Sequence, residues 1–423
     1  MLKKLKRPEI VYIVVPVVCL LFYLGILKVG HHHFDLTAHH NYFRHLADAF
    51  LHGRLYIVNP PGDWDLVAYH DKYYIYWPPA PALVYMPLVA IFGVNLPDVL
   101  ISSFFGMINV WLIMKICSLL AKRFSLALTH KHFAWIGIFW GLGTVHFYMS
   151  LNGGVWFVSQ ILAQTFLFSS VYFLLAKKSK FGSLILSGLF FALTAYTRNH
   201  LVFSIFFIFF LYMAMHPKMK FKEWMIRGFV FILPFIICSL LNGWYNYARF
   251  GNVLENGLAY HLMNPYFVEN FKAYGYFSLH YFPYNFFVEV IRPPVVMLHR
   301  PWIKSEPEGF GFIWGSPLFL LLIPAFFLSV KHMVQRKMGD RAARLIKTGS
   351  IAATIHIAFV IFTIMGTGWI QFCARYTLDF QFFLVVFLLF SWKDLLVIPY
   401  IKLVTAGLII VSVGIEYIGA FVG

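Results

Sequence analysis

Long apolar segments follow one another along this chain, and they constrain its fold more than any other feature of the sequence. Hydrophobic residues make up 60% of the chain and aromatic residues 20%, and the mean hydropathy is +0.73. This composition is far more apolar than that of a soluble globular protein. Apolar runs of about 15 to 25 residues cross a bilayer as helices, because the backbone must satisfy its own hydrogen bonds there. The sequence therefore predicts an all-α polytopic membrane protein.

We predict about eleven transmembrane helices and treat residues 1–423 as one transmembrane domain. The first apolar run follows a basic N-terminus, but no small-residue cleavage site follows it, so we predict a retained span. The stretch 183–215 contains Arg198 in its middle, which favours two short helices over one helix with an arginine at mid-bilayer. The predicted spans lie near residues 10–29, 98–120, 133–150, 155–176, 183–197, 200–215, 225–245, 317–331, 349–366, 376–391 and 396–420.

The formal net charge of +17 comes largely from short basic segments between the apolar runs. The positive-inside rule explains this pattern, so these segments and the N-terminus are predicted to face the cytoplasm, in the inner (plasma) membrane. Two large loops, residues 30–96 and 245–316, then lie on the extracytoplasmic face. Nucleic-acid binding is not expected, and neither is an ATP-driven pump, because the basic segments contain no Gly-rich phosphate loop. The scattered cysteines are predicted to be small buried residues: Cys19, Cys117, Cys238 and Cys373.

The first large loop opens with three histidines and an acid, Asp35. An amphipathic interfacial helix is predicted over residues 35–51, before Gly53. An acid just outside a span can take a proton from an acceptor while a lipid-borne substrate stays in the bilayer, so Asp35 is the candidate catalytic base; a solvated loop acid is the alternative. His39 would lie one helical turn from Asp35 and could share a divalent ion with it, but a third ligand is not assigned, and we predict no metal site or cofactor.

Several short motifs extend this pattern along the chain. They are an aromatic run before two prolines, a segment with small residues that ends in arginine, an Asn-x-x-Arg-Phe-Gly stretch and an Arg-Tyr pair in the C-terminal part of the chain. In this sequence they read Tyr73-Tyr74-Ile75-Tyr76-Trp77-Pro78-Pro79, Leu193-Thr194-Ala195-Tyr196-Thr197-Arg198, Asn246-Tyr247-Ala248-Arg249-Phe250-Gly251 and Cys373-Ala374-Arg375-Tyr376-Thr377-Leu378-Asp379.

Together with Asp35, these motifs resemble the bacterial protein O-mannosyltransferase-like and aminoarabinose-transferase-like members of the GT-C glycosyltransferase superfamily. Leu36 stands where many relatives carry a second acid, and the chain ends in a predicted span where some relatives carry a soluble domain. The resemblance implies transfer of a sugar from a polyprenyl-phosphate donor to a lipid-linked, glycan or protein acceptor, with inversion and outside the cytoplasm. Besides these substrates, membrane lipids are the expected partners.

The departing lipid phosphate gains charge in such a reaction, and fixed cations should stabilise it. Arg375 is the first candidate, followed by Arg249 and Arg198; snorkelling to lipid headgroups is the alternative for each. Substrate contacts are predicted for His39, His40, Tyr76, Glu255, His261 and Tyr376.

Other interpretations compete with this one, and one of them is a non-catalytic partner of a cell-envelope complex, in which Asp35 would be dispensable. Asp63-Trp64-Asp65 imitates the metal signature of nucleotide-sugar transferases but follows Pro-Pro-Gly, where acids commonly serve turns. A transporter or flippase of a lipid-linked sugar is the alternative function, and it would show ionisable residues deep in several spans and an internal repeat. The charged residues of this chain concentrate at span ends, which favours the enzyme.

Overall fold

A computed structural model shows a mostly helical protein. Its described strands form two short antiparallel hairpins: β1 (Val67–Tyr69) pairs with β2 (Lys72–Tyr74), and β3 (Val295–Val296) pairs with β4 (Ile303–Lys304). The structure describes residues 9–29, 38, 40–176, 181–300, 302–304, 306–334 and 341–422.

The α-helices of the described residues are, in chain order, α1 Val11–Val29, α2 Tyr42–Leu51, α3 Ala80–Phe92, α4 Asp98–Arg123, α5 His130–Leu142, α6 His146–Ser150, α7 Val155–Ala176, α8 Phe181–Ala195, α9 Ile205–Met215, α10 Phe221–Phe250, α11 Pro265–Tyr274, α12 Phe282–Phe286, α13 Phe312–Gly315, α14 Leu322–Val334, α15 Arg341–Thr363, α16 Leu378–Leu395 and α17 Ile401–Val422. Short 3-10 turns occupy Asn199–Ser204, Leu258–Tyr260, Leu279–Tyr281, Pro317–Leu321 and Arg375–Thr377, and one π-helical turn occupies Phe287–Ile291.

Six of these helices are long and apolar enough to cross a bilayer: α1, α4, α7, α10, α15 and α17. Four shorter apolar segments accompany them, at Ala80–Phe92, Phe181–Ala195, Asn199–Met215 and Pro317–His332. The helical, membrane-type fold agrees with the sequence prediction, and every predicted span contains helix. The count of about eleven spans is not confirmed, because α5 has only 13 residues and α16 carries three charged residues.

Two predicted helices have different bounds in the structure. The interfacial helix predicted over 35–51 begins only at Tyr42, because the side chain of Asn41 accepts the backbone N–H of Phe43 at 3.2 Å and caps the helix there. The span predicted over 133–150 is divided into α5 and α6 at Gly143, a residue that disfavours helix interiors. The predicted break near Arg198 is present, between α8 and α9.

The helices pack as a connected series. α4 contacts α1, α5 and α7; α7 contacts α8, which contacts α10; and α15 contacts both α9 and α16. Small residues permit the close approaches: a Cβ at Gly188 of α8 would overlap the carbonyl oxygen of Phe231 in α10. In a bilayer such van der Waals packing replaces the hydrophobic effect as the force between helices.

The two large loop regions join each other through their backbones. Asp65 donates its N–H to the carbonyl of Leu262 at 3.2 Å, and Leu262 donates its N–H to the carbonyl of Leu66 at 2.7 Å. α2 and α3 also share a buried apolar cluster with α7, to which Phe43 of α2 and Tyr85 of α3 belong. The fold therefore places the first and second loops together at the N-terminal end of α7.

Candidate functional site

Arg375 lies in the 3-10 turn before α16, and only 4% of its surface is exposed. Its Nη1 donates to Gln160 Oε1 at 3.3 Å, while its Nε donates to no described residue. The guanidinium carbon lies 5.1 Å from the ring centre of Phe157 and 4.9 Å from that of Tyr376. None of the ion pairs in the described part of the chain includes Arg375. Burial lowers the pKa of this guanidinium, yet arginine stays charged in proteins. Arg375 is therefore a buried cation that pairs with no carboxylate of the described residues.

A glycine lies beside the unbonded Nε of Arg375. Gly368 has φ of +77°, a backbone conformation that side chains disfavour. A Cβ at this position would lie 2.9 Å from Arg375 Nε and 3.0 Å from Gln371 Oε1. The backbone N–H of Arg375 donates to that same Gln371 oxygen at 3.2 Å. The glycine therefore allows the Arg375 and Gln371 side chains to lie closer to the backbone than a Cβ would permit.

Asp379, one helical turn after Arg375, organises a second set of polar contacts. Its Oδ2 accepts from Arg198 Nε and from His200 Nε2, both at 2.7 Å, and its Oδ1 accepts from Gln160 Nε2 at 3.4 Å. The terminal nitrogens of Arg198 donate no hydrogen bond to any described residue. Asp379 thus fixes the orientation of Arg198 through Nε and leaves the rest of its guanidinium unused.

Two glutamines of α7 hold this turn in place. Gln160 Nε2 donates to the carbonyl of Arg375 at 2.9 Å, and Gln164 Nε2 donates to the carbonyl of Leu378 at 3.3 Å. Both glutamines are fully buried. Sequence reasoning missed them, although two glutamines four residues apart lie on one face of a helix and need buried partners in an apolar span.

A further polar group lies where the two large loops meet. Asp65 Oδ1 lies 3.2 Å from His261 Nε2, and Trp156 Nε1 donates to Asp65 Oδ2 at 2.8 Å. The ring of His261 lies 4.5 Å from that of Tyr76, which stacks on Trp77 at 4.2 Å. Burial raises the pKa of the Tyr76 phenol. The structure brings the predicted Tyr76 and His261 together. It also gives Asp65 two partners far away in the sequence, Trp156 and His261, which the interpretation of Asp65 as a turn acid did not predict.

The N-terminal end of α7 connects these two polar groups. Its first backbone N–H donates to the carbonyl of His40 at 3.0 Å, and the ring of Trp156 lies 5.7 Å from that of His40. The helix thus contacts Asp65 through Trp156 and Arg375 through the next residue, Phe157. The predicted site residues that the structure gathers around this helix end are His40, Tyr76, Arg198, His261, Arg375 and Tyr376.

Arg249 and Glu255 have their own local partners. The three side-chain nitrogens of Arg249 all donate within the protein, to the carbonyls of Tyr245 and Ile75 and to Asn246 Oδ1. Glu255 Oε1 accepts the backbone N–H of Gly257 at 2.6 Å. No hydrogen bond or ion pair of the described residues joins either side chain to the Arg375 turn. Arg249 would have to give up existing bonds to bind a phosphate, so it is a weaker candidate than Arg375.

Asp35 and His39 lie outside the described residues, and their predicted roles stay predictions. Nearby, the backbone N–H of Ala38 donates to Asp98 Oδ2 at 3.3 Å, and the same oxygen pairs with Arg44 Nη1 at 2.8 Å in a buried ion pair. Within the described ranges, no group of three or more His, Cys, Asp or Glu side chains could hold a metal ion.

Comparison with known proteins gives a likeness of fold. The chain resembles the crystal structure of the Archaeoglobus fulgidus oligosaccharyltransferase in the apo form, a GT-C glycosyltransferase, with a TM-score of 0.53 and 10% sequence identity. The match covers 97% of this chain and 55% of the archaeal one, so the chain spans about half the length of that protein. No family model and no curated protein matches the sequence. At 10% identity the likeness shows a similar fold alone.

Proposed function

We propose that this protein is a membrane glycosyltransferase. It transfers a sugar from a polyprenyl-phosphate donor to a lipid-linked, glycan or protein acceptor on the extracytoplasmic face of the membrane. The GT-C-like fold, the apolar helices and the polar groups at the N-terminal end of α7 support this assignment.

One observation carries the proposal: Arg375 is a buried cation that forms no ion pair with any described residue, and its Nε donates to none of them. Natural proteins rarely leave a buried charge without compensation, because desolvation costs several kcal/mol per ion. A phosphate oxygen is the acceptor that a guanidinium fits best. Arg198, which Asp379 holds through Nε, supplies a second guanidinium, 5.4 Å from the ring centre of the same Tyr376.

Each of these residues then has its own role in the reaction. Asp35 takes the proton of the acceptor hydroxyl, whose oxygen attacks the anomeric carbon of the donor sugar. The bond from that carbon to the phosphate oxygen breaks, the configuration inverts, and polyprenyl phosphate leaves with both electrons. Arg375 and Arg198 stabilise the charge that develops on the phosphate. The remaining predicted contacts, His39, His40, Tyr76, Glu255, His261 and Tyr376, are proposed to bind the sugar and the acceptor.

Arginine and lysine variants test the phosphate site. Binding of unglycosylated polyprenyl phosphate would be measured with wild-type protein, Arg375→Lys and Arg375→Ala in nanodiscs. We expect affinity to fall about ten- to hundred-fold in Arg375→Ala, the loss of one or two hydrogen bonds to a charged group. Arg375→Lys should recover little, because it keeps the charge but not the planar fork.

Arg227→Lys is the matched control, because Arg227 pairs with Glu223 at the start of α10, away from the proposed site. It should bind the lipid as wild type does. If Arg375→Lys binds normally and Arg375→Ala loses only stability, then Arg375 is an anchor, and the proposed donor site is wrong.

A further inference from the structure

Glu289 is a buried acid that no described residue contacts through a hydrogen bond. It lies in the π-helical turn Phe287–Ile291, its exposed surface is 0%, and both of its carboxyl oxygens lack partners. It also takes part in none of the ion pairs of the described residues. Buried carboxyl groups are normally hydrogen-bonded, and π-helical turns often occur at functional sites. The two carboxyl oxygens of Glu289 therefore have no partner among the described residues and are available to a bound ligand.

The position of Glu289 connects it with the Arg375 turn. The π-helical turn packs directly against Arg375–Thr377, so Glu289 lies near Arg375 without forming an ion pair with it. A Cβ at Gly311 would overlap the carbonyl of Val290, so this segment approaches the π-helical turn closely and holds it in place. One region of the protein thus presents an unbonded guanidinium donor and, beside it, two unbonded carboxyl oxygens.

Nearby Glu308 shows what a structural acid looks like in the same loop. Its carboxyl group accepts from Tyr284 Oη, from Arg292 Nη1 and from Thr367 Oγ1. Glu308 is therefore fully engaged within the protein, whereas Glu289 is more deeply buried and has no partner. The contrast indicates that the second loop uses one acid for its own structure and keeps the other for a ligand.

We propose that Glu289 binds hydroxyl groups of the donor sugar while Arg375 holds the phosphate to which that sugar is attached. This inference rests on the proposed function. A carboxyl group exchanges hydrogen bonds with sugar hydroxyls, and the hydroxyls next to an anomeric phosphate lie only a few ångströms from it. Glu289 is then a specificity-determining residue: it distinguishes a glycosylated lipid phosphate from the bare lipid that remains after transfer.

Two classes of lipid, bare and sugar-bearing, and four proteins test this assignment. The affinities of unglycosylated polyprenyl phosphate and of a panel of hexose- and pentose-bearing polyprenyl phosphates would be measured with wild type, Glu289→Gln, Glu289→Asp and Glu416→Gln. Glu416 is the matched control, because it is equally buried and its oxygens also lack partners among the described residues, but it belongs to α17.

We expect wild type to bind at least one sugar-bearing lipid about tenfold more tightly than the bare lipid, and Glu289→Gln to lose that difference. Glu289→Asp, which keeps the carboxyl group on a shorter side chain, should retain part of it. Binding of the bare lipid should change less than twofold in both variants, and Glu416→Gln should behave as wild type does.

The outcomes separate this inference from the proposed function. If wild type does not prefer any sugar-bearing lipid, or if Glu289→Gln keeps the preference, Glu289 does not recognise the sugar. Equal losses for both lipids would assign it a structural role and would also overturn the inference. Either result leaves the phosphate site intact as long as Arg375→Ala weakens bare polyprenyl phosphate, whereas unchanged binding by Arg375→Ala overturns the proposed function itself.

Discussion

At the scale of single residues, the two arginines Arg249 and Arg375 show that burial alone does not define a ligand site. Both are nearly fully buried, with 6% and 4% of their surfaces exposed. Arg249 directs all three of its nitrogens to acceptors in the protein, so it joins the end of α10 to the first loop. Arg375 has an Nε without a partner among the described residues and no ion pair with any of them. Satisfied donors indicate a structural role for Arg249, and the lack of both kinds of partner favours a ligand for Arg375.

The role proposed for Asp35 is also tested at this scale. Asp35→Asn keeps the size of the side chain but removes its basicity, and it should lower the rate of sugar transfer by roughly 10²–10⁴. Transfer from a polyprenyl-phosphate sugar by the purified protein measures this effect. Asp63→Asn is the control, because Asp63 is an exposed acid of the same loop, and it should leave the rate unchanged. A near wild-type rate in Asp35→Asn would show that another group takes the proton.

The sequence predicted several members of the candidate site but not the contacts between them. Arg375, Tyr376 and Asp379 lie in one short stretch, so a local motif was enough to single out that stretch. Gln160 lies 215 residues earlier, and its bonds to the Arg375 turn depend on how α7 packs against α16. Asp65 and His261 were likewise separated by 196 residues. Pairings over such distances are set by helix packing, which no local motif contains.

At the scale of elements, α8 positions Arg198, and its packing depends on one glycine. α8 lies against α10, and Gly188 allows the carbonyl of Phe231 to approach its backbone.

Helix bounds were predictable where apolar runs are uninterrupted, as in α7. They were missed where a cap or a glycine acts locally, as at Asn41 and Gly143, because hydrophobic periodicity does not detect such ends.

Two alanine substitutions in α8 separate packing from helix propensity. Gly188→Ala should destabilise the protein by about 1–3 kcal/mol, because the added methyl group forces α8 and α10 apart. Gly182→Ala adds the same methyl group where no atom lies within 4 Å, so it should be neutral or stabilise by about 0.5–1 kcal/mol. Thermal unfolding in detergent measures both. If the two variants unfold at the same temperature, the close contact between α8 and α10 is not present in the protein.

At the scale of the whole molecule, the candidate site and many of the basic residues lie at opposite ends of the same helices. α16 begins next to Arg375 and ends with Lys393, and α4 begins with the buried Asp98 and ends with Lys122 and Arg123. Arg123 in turn donates to the carbonyl of Met215 at the end of α9. This separation is the one that the positive-inside rule predicts for an extracytoplasmic active site.

Thiol labelling tests that orientation. Asp63→Cys and Asn270→Cys introduce exposed thiols into the first and second loops, and both should react with a membrane-impermeant reagent in intact cells. Lys218→Cys, exposed in a basic segment, should react only after permeabilisation. The wild-type protein is the background control, since Cys19, Cys117 and Cys373 are buried and Cys238 is half-buried. Labelling of the two loops only after permeabilisation would reverse the topology.

The lack of an ion-pair partner for Arg375 among the described residues also affects the stability of the protein after extraction from the membrane. Detergent extraction removes bound lipids together with the bilayer, and any phosphate that neutralised this guanidinium is removed with them. A ligand that binds only the folded state stabilises it by mass action. If the proposed phosphate site is correct, adding a polyprenyl phosphate during purification should therefore preserve the fold. The lipid that best prevents unfolding during preparation is then itself a measure of which substrate the site has been selected to hold.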